Sequence, residues 1–211
     1  MPFKNREEAA RLLAKELAQY KGQNPLILAI PRGAVPMAKI IAEELGGEFD
    51  VVLVHKLGAP WNPELAIGSV DENGHVYLDH IAQYYRISDS YIEEEKQAQV
   101  AMLKGRRKMY SAIHPPIFPE GRIVIVLDDG IATGSTMIAA LRAVRAQNPE
   151  KLIAAMGVAP ASNLPSVEEL ADEVVCLEAP EIFYAVGEFF EDFSAVSDEE
   201  VKEILRHSHR E

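Results

Sequence analysis

The chain has 211 residues, of which 48% are apolar and 26% charged, with a formal net charge of −12, enough to bury one sizeable core. That acidity argues against sequence-independent binding of DNA or RNA, which relies on phosphate neutralisation by Lys and Arg; it still allows a local cationic site for a small anion. No apolar run approaches the roughly 20 residues that span a bilayer. The opening MPFKNREEAARLL lacks the apolar centre of a signal peptide, and a single cysteine suits a reducing compartment, so a cytoplasmic protein with no membrane or nucleic-acid partner is expected.

From the N-terminus, NREEAARLLAKELAQYKG predicts a helix: Asn5 stands as N-cap with Glu8 three residues on, and Ala9, Leu12, Leu13, Leu17 and Tyr20 recur at helical spacing before Gly22. PLILAI, VPMAKIIAEELGG and DVVLVHKL then read as buried strand, helix and buried strand. The pattern returns later as the strand RIVIVLDD, the helix STMIAALRAVRAQ, the strand KLIAAMGVA, the helix SVEELADE and the strand VVCLEA. In the last of these, Cys176 is read as a buried thiol, with no nearby base to make it a nucleophile. Such alternation predicts an α/β fold: a parallel sheet of about five strands with helices on both faces, its strand ends gathered on one rim where ligands bind.

Two segments break the alternation. AIGSVDENGHVYL reads as a hairpin around Asn73-Gly74, followed by a polar helix from Ser90 with a thin apolar face; residues 79–110 are expected to form a mobile, lid-like insertion. From about residue 180 to 211, an aromatic and acidic stretch ends in a helix capped by Ser197 with Glu200, read as a small C-terminal hood. The aromatic residues Phe183, Tyr184, Phe189, Phe190 and Phe193 are expected to serve mostly as core. No linker divides the chain, so residues 1–211 are taken as a single domain.

The stretch IVIVLDDGIATGSTMIAA carries chemistry. Asp128 and Asp129 emerge at the carboxyl edge of the sheet, where two adjacent carboxylates need hydrogen-bonding partners such as sugar hydroxyls or a hydrated divalent cation. GIATGST supplies small residues that let the backbone approach a ligand, and it opens a helix whose N–H groups and dipole suit a phosphate. Thr133, Ser135 and Thr136 add hydroxyl donors. Neither standard nucleotide loop is present.

The thirteen residues VIVLDDGIATGST, Val124 to Thr136, closely resemble the signature of the type I phosphoribosyltransferases (PRTases), which bind 5-phosphoribosyl-1-pyrophosphate (PRPP). The resemblance implies that Asp128 and Asp129 hold the ribose hydroxyls, with an indirect role toward a metal. It also implies that Gly130, Ala132, Thr133, Gly134, Ser135 and Thr136 belong to the loop around the 5'-phosphate. The tight turn in IPRGAVPMA matches the family's pyrophosphate loop, often built with a strained or cis peptide, through Arg32, Gly33 and Ala34. Lys56, read as ending the second core strand, could reach the pyrophosphate as a point charge. In the family a mobile segment before the PRPP-loop strand closes over the substrates and excludes water; here that segment carries Lys104, Arg106, Arg107, Lys108 and Tyr110, which otherwise form a solvated basic face.

The implied activity is Mg²⁺-dependent transfer of the phosphoribosyl group from PRPP to a nitrogenous base, with release of pyrophosphate and a homodimer as the expected assembly. Arg32, Lys56, Asp128 and Asp129 are the catalytic candidates. Members acting on 6-oxopurines usually carry an acidic residue where this chain has Ala132, which disfavours hypoxanthine and guanine and leaves the acceptor open. Two other readings remain: a PRPP-binding regulatory protein with little catalytic power, and a hydrolase of a phosphorylated sugar. His55 is read as structural or interfacial, Trp61 as able to stack on a base or to cover a hydrophobic surface, and His207 and His209 as part of a polar tail without metal-ligand spacing.

Overall fold

Alternate residues of the buried strands face opposite sides of one sheet, which is why their apolar runs are unbroken. In the computed structural model, which describes residues 2–206 apart from 112 and 114, the elements run α1 (Arg6–Glu16), β1 (Leu26–Ala29), α2 (Val35–Leu45), β2 (Glu48–Val51), β3 (Val54–Ala59), β4 (Asn62–Asp71), β5 (Val76–Leu78), α3 (His80–Tyr84) and α4 (Asp89–Ser111). They continue as β6 (Ile123–Gly130), α5 (Ser135–Arg145), β7 (Lys151–Val158), α6 (Leu164–Glu168), β8 (Glu173–Glu178) and α7 (Asp198–Leu205). His207 and His209 lie outside the described residues.

β2, β1, β6, β7 and β8 form, in that order, an all-parallel five-stranded sheet. Ile27, Ile125 and Ile153 point into a core shared with Leu13 of α1 and Met37 and Ile41 of α2. Their neighbours Leu26, Val124 and Leu152 point the other way, onto Met137, Leu141 and Val144 of α5. Each such side chain taken fully out of water contributes about 1.5–3 kcal/mol, so the two cores are the main support of the rim that the strands end on. α1 starts as the sequence predicts, with the Glu8 amide donating to the Asn5 side chain at 3.0 Å, and α7 carries the predicted capping box of Ser197 and Glu200.

The run DVVLVHKL is two strands rather than one. β2 ends at Val51 in the parallel sheet, the chain crosses at Val52 and Leu53, and β3 opens a separate antiparallel sheet, β3-β4-β5. Both crossing residues are buried, so hydropathy does not mark the break. Lys56 therefore lies within β3, opposite Ser69, and does not end a core strand. The β4–β5 turn forms where expected: the Asp71 carboxylate accepts from the Asn73 and His75 amides, both at 2.9 Å, and Gly74 takes φ +87°.

α5 packs against both β3 and β4, as does α4, so the predicted insertion is built onto the domain. Leu103 and Tyr110 of α4 are buried. Arg107 forks onto Glu72 with two contacts of 2.7 Å, donates to the Val51 carbonyl at 2.9 Å and reaches Asp50 at 3.4 Å. The lid reading does not foresee this anchoring. Most of the residues before Leu103 in α4 are exposed or half-buried. α6 is shorter than predicted and starts two residues earlier, at Leu164. Cys176 is half-buried, because β8 is an edge strand; burial still pushes its thiol up to about 11, which keeps it protonated and unreactive.

Candidate active site

β6 carries Asp128 and Asp129 to the carboxyl edge of the sheet, and the chain reaches α5 across only four residues. Gly134, at φ +80°, is the N-cap of α5 and offers no side chain to cap it. A left-handed position of this kind favours glycine; the Ser135 amide reaches the Thr133 hydroxyl at 3.4 Å, and with no side-chain cap at Gly134 the turn stays open to a ligand beyond it. A hollow of about 170 Å³ opens there, lined by Asp128 and by the continuous run Gly130, Ile131, Ala132, Thr133, Gly134, Ser135, Thr136 and Met137. Thr133 and Thr136 are exposed in it, and the Thr133 and Ser135 hydroxyls stand 3.2 Å apart. Anion-seeking donors and one carboxylate thus share a single concavity.

The adjacent carboxylates do different work. Asp128 lines the hollow and accepts from the Asp129 amide at 2.9 Å. Burial, and then the neighbouring Asp129 charge, raise its pKa well above the ordinary carboxylate value; hydroxyl donors or a cation would relieve that penalty. Asp129 is only 8% exposed and does not line the hollow. Its carboxylate takes the Arg6 guanidinium at 2.8 Å and lies against Gly33, where a Cβ would sit 2.1 Å from Oδ2.

The turn after β1 holds a cis peptide between Pro31 and Arg32. Ala34 is fully buried and ends the turn as N-cap of α2, so of the three predicted residues Arg32 supplies the exposed cation and Gly33 the close approach. Arg32 reaches Asp198 of α7 at 3.5 Å, and the Tyr110 hydroxyl donates to the same carboxylate at 3.1 Å. Tyr110 is pushed up to about 12 by burial and then by the Asp198 charge, with Arg106 and Arg32 acting in the opposite sense. Arg106 and Arg32 therefore lie within electrostatic reach of one hydroxyl.

The other cationic candidates divide. Lys104 is exposed on α4, Arg107 is committed to Glu72 and Asp50, and Lys56 does not line the hollow. Trp61 is 56% exposed and stands edge-on to Tyr85. In the hood Phe190 is buried and Phe183 stacks on Phe189, whereas Tyr184 is 80% exposed. Val186 of the hood packs on Gly130, where a Cβ would meet it at 2.6 Å.

Sequence reasoning misses Arg6, Asn163 and Asp198. The Asn163 amide donates to the Ala132 carbonyl at 2.6 Å, tying the β6–α5 loop to the segment after β7. Asp198 reaches Arg32 from 166 residues away, and no local pattern announces either contact. Among the described residues there is no group of three or more His, Cys, Asp or Glu side chains able to hold a metal, and no helix long and apolar enough to cross a membrane.

At the carboxyl rim of the parallel α/β sheet the chain presents an uncapped helix start, a carboxylate and an arginine turn, at the edge where open α/β sheets carry their ligands. The chain belongs to the phosphoribosyl transferase family, whose domain profile matches residues 4–194. It is 37% identical over 210 residues to a protein of Mycobacterium tuberculosis named provisionally as a phosphoribosyl transferase, in strains H37Rv and CDC 1551, covering 99% of this chain and 47% of that protein. The chain thus spans about half the length of these curated relatives. The crystal structure of TT1426 from Thermus thermophilus is 42% identical, covers 99% of both chains and superposes with a TM-score of 0.89.

Proposed function

We propose that this chain transfers the phosphoribosyl group of PRPP to a nitrogenous base and releases pyrophosphate, in nucleotide salvage or a related pathway. The observation that carries the reading is the shared hollow: Asp128, three hydroxyl side chains and the uncapped start of α5 line one concavity, on the same edge of the sheet as the Arg32 turn. In this reading the hydroxyls and N–H groups of residues 133–136 hold the 5'-phosphate. Asp128 accepts from the ribose hydroxyls, while Arg32, with Arg106 nearby, faces the pyrophosphate. Cleavage of the bond from C1 to pyrophosphate leaves positive charge on the ribose ring and negative charge on the leaving group. The protein's work is to align the two substrates, exclude water and stabilise those separated charges.

Magnesium, when bound, would offset charge on the pyrophosphate and assist its departure. In this reading Asp128, which lines the hollow, would share such an ion through water. A site with so few protein ligands fits a metal carried mainly by substrate phosphates. The regulatory alternative draws on Ala132, which supplies no carboxyl group for the acceptor's proton.

Calorimetry with PRPP tests the assignment. Thr133→Trp and Thr136→Trp should each weaken PRPP binding by about a hundredfold or more, at an unchanged melting temperature, because both side chains are exposed. A folded double variant with wild-type affinity would sink the assignment.

A further inference from the structure

Arg6 lies in the first turn of α1, 123 residues from the carboxylate it holds. The ion pair is nearly dry, with the Arg6 and Asp129 side chains 13% and 11% exposed. The guanidinium also donates to the Ser194 carbonyl at 2.7 Å and sits 4.0 Å over the Phe193 ring. Gly33 completes the junction, since its Cα side leaves room for Asp129 Oδ2 and a Cβ would stand 3.2 Å from Arg6 Nε. One side chain therefore meets three segments: the strand feeding the phosphate loop, the root of the arginine turn, and the hood.

We propose that Arg6 is a positioning residue that sets the spacing between the two anion-binding loops, by clamping Asp129 against Gly33. The inference rests on the PRPP reading above, and it concerns ligands with a phosphate at each end. Such a ligand must engage the 133–136 loop and the Arg32 turn together. Its affinity depends on both loops being in register, as for any two linked binding contacts. A ligand holding only the 133–136 loop has no such requirement. The bidentate-capable, always charged guanidinium suits the role, since it grips the carboxylate directionally while its flat face rests on Phe193.

The test compares PRPP with ribose 5-phosphate on the full chain, by calorimetry for the first and ligand-observed NMR for the second. Arg6→Gln should weaken PRPP by about tenfold to a hundredfold and change ribose 5-phosphate affinity by no more than about twofold. Arg6→Lys, which keeps the charge without the fork, should fall between wild type and Arg6→Gln; it also decides the matter if Arg6→Gln does not fold. In a double-mutant cycle, Arg6→Gln should add little once Asp129→Asn is present. Unchanged PRPP affinity in Arg6→Gln, or equal losses for both ligands, would overturn the inference and leave Arg6 a purely structural residue while the PRPP reading stands. A wild-type chain that binds ribose 5-phosphate but no PRPP would overturn that reading and the inference with it.

Discussion

Gly33→Ala is expected to weaken PRPP binding and to destabilise the fold together. The added Cβ would fall 2.1 Å from Asp129 Oδ2 and 3.1 Å from its Cγ. Asp129 cannot simply swing aside, because its carboxylate is clamped by Arg6 at 2.8 Å and the residue is only 8% exposed. Either the arginine turn moves outward or the ion pair opens, leaving a nearly buried carboxylate without its cation. Overpacking costs about 1–3 kcal/mol and breaking a buried pair about 3–5 kcal/mol, so a loss of about 3 kcal/mol in urea unfolding is expected. Displacement of the turn by about an ångström should weaken PRPP by about a hundredfold. A variant with wild-type stability and affinity would show that the turn has slack the packing does not reveal.

Arg107→Ala should give the opposite division of effects, damaging the fold and not the binding of PRPP by the folded molecules. Arg107 ties α4 to the edge of the parallel sheet and to the β4–β5 turn through Asp50, Val51 and Glu72. Asp50 is 1% exposed, and removing the guanidinium beside it should cost about 3–5 kcal/mol. Denaturant unfolding measures the cost, and calorimetry under strongly native conditions measures PRPP affinity. A lid cation would behave in reverse, with stability retained and PRPP affinity lost. That result would return Arg107 to the substrate-closing role the basic run 104–108 suggests.

These two residues show where sequence is readable and where it is not. The β6–α5 loop is legible because its parts are contiguous: an apolar strand, two carboxylates, small residues and a helix start follow one another from Ile123 to Arg145. Helix caps are legible for the same reason, as at Asn5 and Ser197. The passage from β2 to β3 is not, since Val52 and Leu53 are as apolar as the strands they join and period carries no mark of a change of sheet. Arg107 reads as one of several cations on a polar helix until Asp50 and Glu72 are seen beneath it. Arg6 has no local signal at all, because its partner lies 123 residues on. The division of labour between Asp128 and Asp129 is hidden too: neighbouring residues of a strand face opposite ways, but which of them meets Arg6 depends on how α1 packs.

Group transfer is read out by pyrophosphate release from PRPP. PRPP and Mg²⁺ are supplied with a panel of nitrogenous bases, and pyrophosphate is followed with each base and without any. Release is expected to depend on a particular base and to disappear in Thr133→Trp. Tight PRPP binding with no release for any base would contradict it and identify a regulatory protein, and release at the same rate without a base would identify a hydrolase.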